Sequence, residues 1–226
     1  STPIKSSAAS DVYKRQSLFF LFKGYQHPHP AGILFYSFLF IGAGSLFFPQ
    51  LTLFIPIFWI GAYSFQALTP KSFFGGLIGW TLPYWFLFGH AYFYGEIELF
   101  YQPFIELVTF HPITLWNFPL WEIATLGYSF LLFIVSSVHC LVAGYEDKIR
   151  TRSYLHFLIF LTFCIFVYIL LQPAQTFHLL PLLLIGVSIL TGHFVVLTNS
   201  RASNVFFICA LAGLILLFGF NVWMLL

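Results

Sequence analysis

From Tyr154 to Leu197 the chain carries no Asp, Glu, Lys or Arg, and none follows Asn204 to the last residue. A helix needs roughly 20 predominantly apolar residues to cross a bilayer, and several runs here approach or exceed that length. The chain is 60% hydrophobic, 22% aromatic and only 7% charged, with a mean hydropathy of +0.91. No water-soluble domain hides that much apolar surface behind a polar exterior. The expected fold is all-α: a polytopic transmembrane bundle of about seven complete spans, a truncated helix stub and one interfacial amphipathic helix. The spans are placed at Ala31–Phe47, Gln50–Ala67, Leu68–Tyr94, Leu120–Ala143, Tyr154–Leu171, Phe177–Leu197 and Asn204–Leu226.

The third span organises the rest. Thr69 is placed to cap it, and Pro70 fits the first helical position. Gly75 and Gly79 share a face that lets a neighbouring helix approach closely. Pro83 follows on that face and kinks the helix near the bilayer centre. Thr81, Tyr84, Trp85 and, one span earlier, Trp59 carry polar atoms that need partners at that depth, which puts these helices inside a bundle.

Residues 1–16 differ in kind from the rest of the chain. They are polar, lack the apolar core of a signal peptide, and contain Asp11–Gln16, DVYKRQ, which matches translation of a transposon mosaic end used in sequencing libraries. The segment is expected to be a disordered, non-native leader without packed contacts. Residues 17–226 are then a single, N-terminally truncated transmembrane domain, with Ser17–Phe22 the tail of a cut-off helix.

Glu98, Gln102 and Glu106 recur every four residues, opposite Ile97, Phe100, Tyr101, Phe104, Ile105 and Val108. That pattern is an amphipathic helix at the interface over Glu96–Phe110, with Pro103 as a break point; an irregular loop is the alternative. Threading the charges through alternating spans puts Lys23, Lys71, Lys148, Arg150, Arg152 and Arg201 on one side. Glu96, Glu98, Glu106 and Glu122 fall on the other. The positive-inside rule makes the Tyr145–Ser153 loop cytoplasmic and the C-terminus periplasmic, in a bacterial inner membrane.

Few residues carry chemistry. Cys140, Cys164 and Cys209 sit within apolar runs, without metal-ligand spacing, as buried thiols. His27 and His29 form a pair in a Gly/Pro loop with no further ligand adjacent. His139, His156 and His193 fall at one depth near the cytoplasmic face; His90, His111 and His178 fall near the outer face. There is no HExxH, no clustered histidine box, no GxSxG, P-loop or GxGxxG, so no metal or cofactor is expected. The bilayer is the expected partner, and nucleic acid is not. If the chain has a chemical site, it lies at the outer face, where His90, Glu96, Glu98, Glu106 and Glu122 approach one another; carboxylates beside an imidazole can act as base, metal ligand or sugar contact. The bland reading makes Glu98 and Glu106 a wet helix face and Glu122 a complement to a helix N-terminus.

The stretch Ser45–Glu96 resembles a family of uncharacterised bacterial integral membrane proteins. The markers are the run at Pro49, Trp59-Ile60-Gly61, the Leu68-Thr69 turn with Phe73, and Gly79 followed by Pro83-Tyr84. Some members carry a carotene-oxygenase label, but the resemblance brings no catalytic residues with it. A more distant likeness, in Pro-led spans and short basic loops, is to the membrane halves of polyprenyl-phosphate-sugar glycosyltransferases. Three functions stay open: a membrane protein without an assigned activity, a fragment of such a transferase, and a small transporter or assembly partner.

Overall fold

The computed structural model describes residues 3–109, 119–144, 147–197 and 201–225, with side chains described over 10–109, 119–142, 144, 147–196 and 203–224. Among these residues the structure is all-helical. The helices are α1 (Pro3–Lys23), α2 (Pro30–Phe47), α3 (Ile55–Ser64), α4 (Pro70–Tyr94), α5 (Glu98–Val108), α6 (Leu120–Ala143), α7 (Ile149–Leu171), α8 (Thr176–Leu197) and α9 (Arg201–Leu225). Short 3-10 turns at Pro49–Phe54 and Pro173–Gln175 precede α3 and α8. Five helices are long and apolar enough to cross a membrane: Pro30–Phe47, Leu120–Val142, Ile149–Leu171, Pro173–Val196 and Ser203–Met224. By its internal contacts the chain forms two compact units, Ser1–His111 and Pro112–Leu226.

In the first unit α2 and α4 lie side by side and run the same way. Gly75 sits beside Ala31, Gly79 beside Phe35, and Gly42 beside Trp80 and Pro83. A Cβ added at Gly79 would collide with the Phe35 carbonyl oxygen, and one at Gly42 with that of Trp80. The backbones therefore meet with no room for side chains, as small-residue seams allow. At the level of Pro83 the Tyr84 hydroxyl is 2.8 Å from Ser45 Oγ and 3.4 Å from Thr52 Oγ1, while Thr81 Oγ1 donates to Leu77 O (3.0 Å). Trp59 stacks between Phe38 and Phe73, with ring centroids 4.2 and 4.6 Å away. Thr69 caps α4 as expected: Ser72 N donates to Thr69 Oγ1 (3.2 Å), and Thr69 N to Ser72 Oγ (2.7 Å), a reciprocal box.

Two parallel neighbours need a segment that returns between them. The expected second span, Gln50–Ala67, is that segment, but it is not one helix. Pro56 has no N–H and its ring crowds the carbonyl four residues back, which disfavours an α-helix through Thr52, and here α3 begins only at Ile55. The chain winds as a 3-10 turn to Phe54 and then as ten residues of α3. At about 2.0 Å per residue for the first part and about 1.5 Å for the second, the limb still covers roughly 27 Å. It ends beside the start of α2, where Gln26 N donates to Phe65 O (3.0 Å) and Gln26 Nε2 to Gln66 Oε1 (3.0 Å). The expected third span, now α4, spans about 37 Å at 1.5 Å per residue; its Pro, Gly, Trp and Tyr content keeps it out of the apolar five.

Residues 3–16 are helical. α1 runs from Pro3 without interruption across Gln16 and Ser17. Ser10, Lys14, Ser17, Leu18 and Leu21 are buried, and Tyr13 stacks on Phe40 and Phe47 at 6.2 and 6.0 Å. Lys14 Nζ pairs with Asp11 Oδ1 at 2.9 Å and lies over the Phe48 ring; burial lowers its pKa, with Asp11 acting the other way. The physical reason is propagation. Once the apolar end, Ser17–Lys23, is helical against α2, adding residues backwards avoids a new nucleation step. Such a helix is indifferent to the origin of its codons.

α5 forms over the expected amphipathic stretch and continues through Pro103. It does not stand alone. Gly95, at φ 72°, ends α4 in a left-handed cap with Glu96 N bonded to Ala91 O (2.9 Å). The chain then turns back, placing Phe100 against Phe88 (5.3 Å) and Phe104 against Tyr84 (5.4 Å).

In the second unit α6 has the expected bounds, and α7 begins earlier than expected, taking in Ile149–Ser153 of the charged loop. α6 and α8 run parallel, with Ser136 Oγ 3.1 Å from Thr191 Oγ1 and Cys140 Sγ 3.8 Å from His193 Nδ1. α9 is held to α6 by the Tyr128 hydroxyl, which donates to Ala210 O, and by Asn221 Nδ2, which donates to Thr125 Oγ1 (3.2 Å). The loop expected at His111–Pro119 lies, except for Pro119, outside the described residues.

Candidate functional sites

The return of α5 along α4 makes a recess in the first unit. His90 comes from the end of α4, Gln102 and Glu106 from α5, and Leu46 and Pro49 from the α2 turn; the recess holds about 280 Å³. Gln50 Nε2 donates to the Glu106 carbonyl at 3.4 Å and helps fix that end of α5. Of the residues expected at an outer-face site, the structure brings His90 and Glu106 to this recess and adds Gln102. Glu96 and Glu98 are exposed and outside its lining. Glu122 belongs to the second unit, half-buried in the first turn of α6. One carboxylate, one imidazole and one amide can hydrogen-bond a polar group. Among the described residues no three His, Cys, Asp or Glu are grouped to hold a metal ion. His27 Nδ1 accepts from His29 N (3.1 Å), a contact within its own loop.

His139 and His193 lie where α6 meets α8. His193 lies between Cys140 and Asp147; its Nε2 is 3.3 Å from Asp147 Oδ2, an ion-pair distance without a hydrogen bond's alignment. His139 lies against the Phe194 ring at 4.3 Å. Cys140 is 2% exposed, so this row ties the end of α6 to α8 and presents no open thiol.

A second feature went unread in the sequence. Between α6, α8 and α9 lies a cleft of about 650 Å³, lined by Leu132, Leu184, Val187, Val195, Leu214 and Phe218 among others. Thr125, Tyr128, Ser129, Ser188, Thr191 and Asn221 also face it, and among the described residues no Asp, Glu, Lys or Arg does. Its volume is within the range of small-molecule sites, and its makeup, apolar with a few polar atoms, matches them. Thr125, Ser129 and Ser136 recur at helical spacing, the one signal that marked a polar line on α6. The cleft exists because α9 packs loosely: an apolar window of α9 is 0% buried, against 44% for α2 and α7.

Comparison with protein-family models, curated proteins and solved structures finds no match to this chain.

Proposed function

We propose that this chain is a multi-pass protein of the bacterial inner membrane that holds a hydrocarbon chain from the bilayer between α6, α8 and α9. The cleft carries this reading: about 650 Å³ of mostly apolar space in a unit made of apolar helices. A hydrocarbon is the occupant such a lining favours, and the bilayer supplies it. Seven crossings result if the bent limb Pro49–Ser64 and α4 join the five apolar helices. The limb's reach of roughly 27 Å supports its inclusion against a hydrocarbon core of about 30 Å. The Tyr145–Ser153 loop is then cytoplasmic and the C-terminus periplasmic. The parallel course of α2 and α4 supports that threading, because it sets Lys23 and Lys71 at one end of the first unit.

The test is occupancy. Protein purified in mild detergent should release a stoichiometric hydrocarbon-chain lipid on solvent extraction. Gly192 lines the cleft, and a Cβ there meets nothing within 4 Å. Gly192→Trp should therefore fill the space without unfolding the unit, and the co-purifying lipid should vanish. Equal lipid in both proteins sinks the reading. A second reading, a transferase fragment acting on a polar substrate at the outer face, is favoured by the His90–Gln102–Glu106 recess. It expects Glu106→Gln to abolish a deletion phenotype while protein abundance stays unchanged.

A further inference from the structure

We propose that the recess of the first unit is a site for a primary ammonium group, such as an ethanolamine lipid head carries, held between Glu106, Gln102 and His90. This site is independent of the hydrocarbon cleft in the second unit, and it requires binding alone, without transfer chemistry.

Helix geometry turns these side chains toward the space. The lining takes Leu99, Gln102, Pro103 and Glu106 from α5. Those positions follow at steps of one, three and four residues on a single helix face, so side chains line the recess there. Phe100 and Phe104, on the adjoining face, hold α5 against Phe88 and Tyr84 of α4. Leu87 and His90, one turn apart on α4, close the recess from that side. His90, Gln102 and Glu106 are all exposed, so none is sealed off from a ligand. The backbone at Glu106 is held in place by Gln50, whose Nε2 donates to its carbonyl.

Charge selects the ligand. Between Lys71 and Lys148 the chain has no Lys or Arg, while Glu96, Glu98 and Glu106 fall on α5 or just before it. Among the described residues no ion pair engages Glu106; those seen are Lys14–Asp11 and His193–Asp147. A phosphate or carboxylate brought to the recess would meet a carboxylate with no cation to offset it. A cation is drawn in, and the more strongly because Leu46, Pro49 and Leu87 wall the space with apolar matter. Hydrogen bonding narrows the cation. A primary ammonium has three N–H donors. The Glu106 carboxylate, the Gln102 amide oxygen and a neutral His90 nitrogen are three acceptors. A quaternary ammonium has no donor and is recognised by aromatic faces instead; among the described residues no Phe, Tyr or Trp lines the recess. Size agrees, since about 280 Å³ holds a head group and not a whole lipid. The recess forms where α4 ends and the amphipathic α5 turns back, the depth of the bilayer's heads.

The experiment measures binding of a tail-labelled phosphatidylethanolamine, and of the matching phosphatidylcholine, to the detergent-solubilised full chain. The two share tails and phosphate and differ only in the methyl groups on nitrogen. Wild-type protein should prefer the ethanolamine lipid by about tenfold, the factor one charge-assisted hydrogen bond supplies. Glu106→Gln should erase that preference and Gln102→Leu should reduce it; both positions are exposed, so neither change reaches the core. Glu98→Gln, outside the recess, should leave the preference intact. Gly192→Trp should leave it intact too, because a tail seated in the cleft contributes equally to both lipids. Free ethanolamine separates the sources. If it displaces the labelled lipid from wild type and not from Glu106→Gln, a soluble amine also fits the site; if it displaces nothing, the lipid supplies the amine. Either result keeps the ammonium site. Equal binding of the two lipids by wild type overturns it, as does loss of the preference in Glu98→Gln or Gly192→Trp. The cleft reading is judged separately, by the lipid that co-purifies.

Discussion

α2 and α4 touch through their backbones, whereas α6, α8 and α9 touch through the tips of side chains. In the first pair, a Cβ at Gly42 or Gly79 would collide with a neighbour's carbonyl oxygen. In the second set, Gly192 and Gly219 have open space where a Cβ would go, and α9 depends on the reach of Tyr128 and Asn221. Water drives neither arrangement inside a bilayer, since lipid tails are as apolar as leucine. Close packing then decides which helices stay fixed. A seam of glycines excludes a guest; a trio of helices without one leaves a space to be filled.

The largest effect should come from forcing the seam apart. Gly79→Leu places atoms against backbone that cannot move aside, and should destabilise the detergent-solubilised protein by about 3 kcal/mol, the upper end of overpacking costs. Gly192→Leu, the same change at an open position, should stay within about 0.5 kcal/mol. Similar melting shifts for the two would erase the distinction between the units. Next in size are two phenols. Tyr84→Phe removes the contact with Ser45 in the tight unit, and Tyr128→Phe removes the tie to Ala210 in the loose one. Each should cost about 1 kcal/mol or less, but the consequences should differ. Tyr128→Phe should speed hydrogen exchange along α9 selectively; Tyr84→Phe should leave exchange in α2 and α4 nearly unchanged, because the glycine seam still holds. The smallest effect sharpens the limits of the seam. Gly89 lies in α4 beyond it, and a Cβ there meets nothing within 4 Å. Gly89→Ala should stabilise by about 0.5 kcal/mol through helix propensity alone; a loss of stability would extend close packing past Pro83.

The sequence and the structure agree where local chemistry decides. Thr69 and Pro70 fixed the start of α4, Gly95 its end, and the bounds of α6 follow from Pro119 and Gly144. The bent limb went unread, because hydropathy alone does not separate a 3-10 turn from an α-helix of the same apolar residues; Pro56 was the signal that could have found it. The glutamate stripe was visible from its four-residue spacing. Which of its members meet His90 depends on α5 folding back along α4, a tertiary fact that no spacing encodes. The cleft was hidden because Ser and Thr in an apolar helix ordinarily bond their own backbone; Thr125 does so toward Trp121 and still accepts from Asn221. Nothing in the local sequence announces that second bond.

The bent limb also bears on how such a chain is made. α2 leaves the ribosome before α4, and its glycine face has no partner until α4 emerges. Pro49–Ser64 lies between them, with a proline break that denies it the continuous ladder of paired amides a lone segment needs in hydrocarbon. The limb finds its cover against its neighbours: Phe58 meets Phe38 of α2, Phe65 meets Phe22 and Tyr25, and Phe54, Phe58 and Phe65 are all buried. On the seven-span reading, membrane entry of the limb is a cooperative event shared with its neighbours. A ribosome paused before Pro70 would hold a half-built hairpin still exchanging between the bilayer and the insertion machinery, and synthesis of α4 would lock it in place.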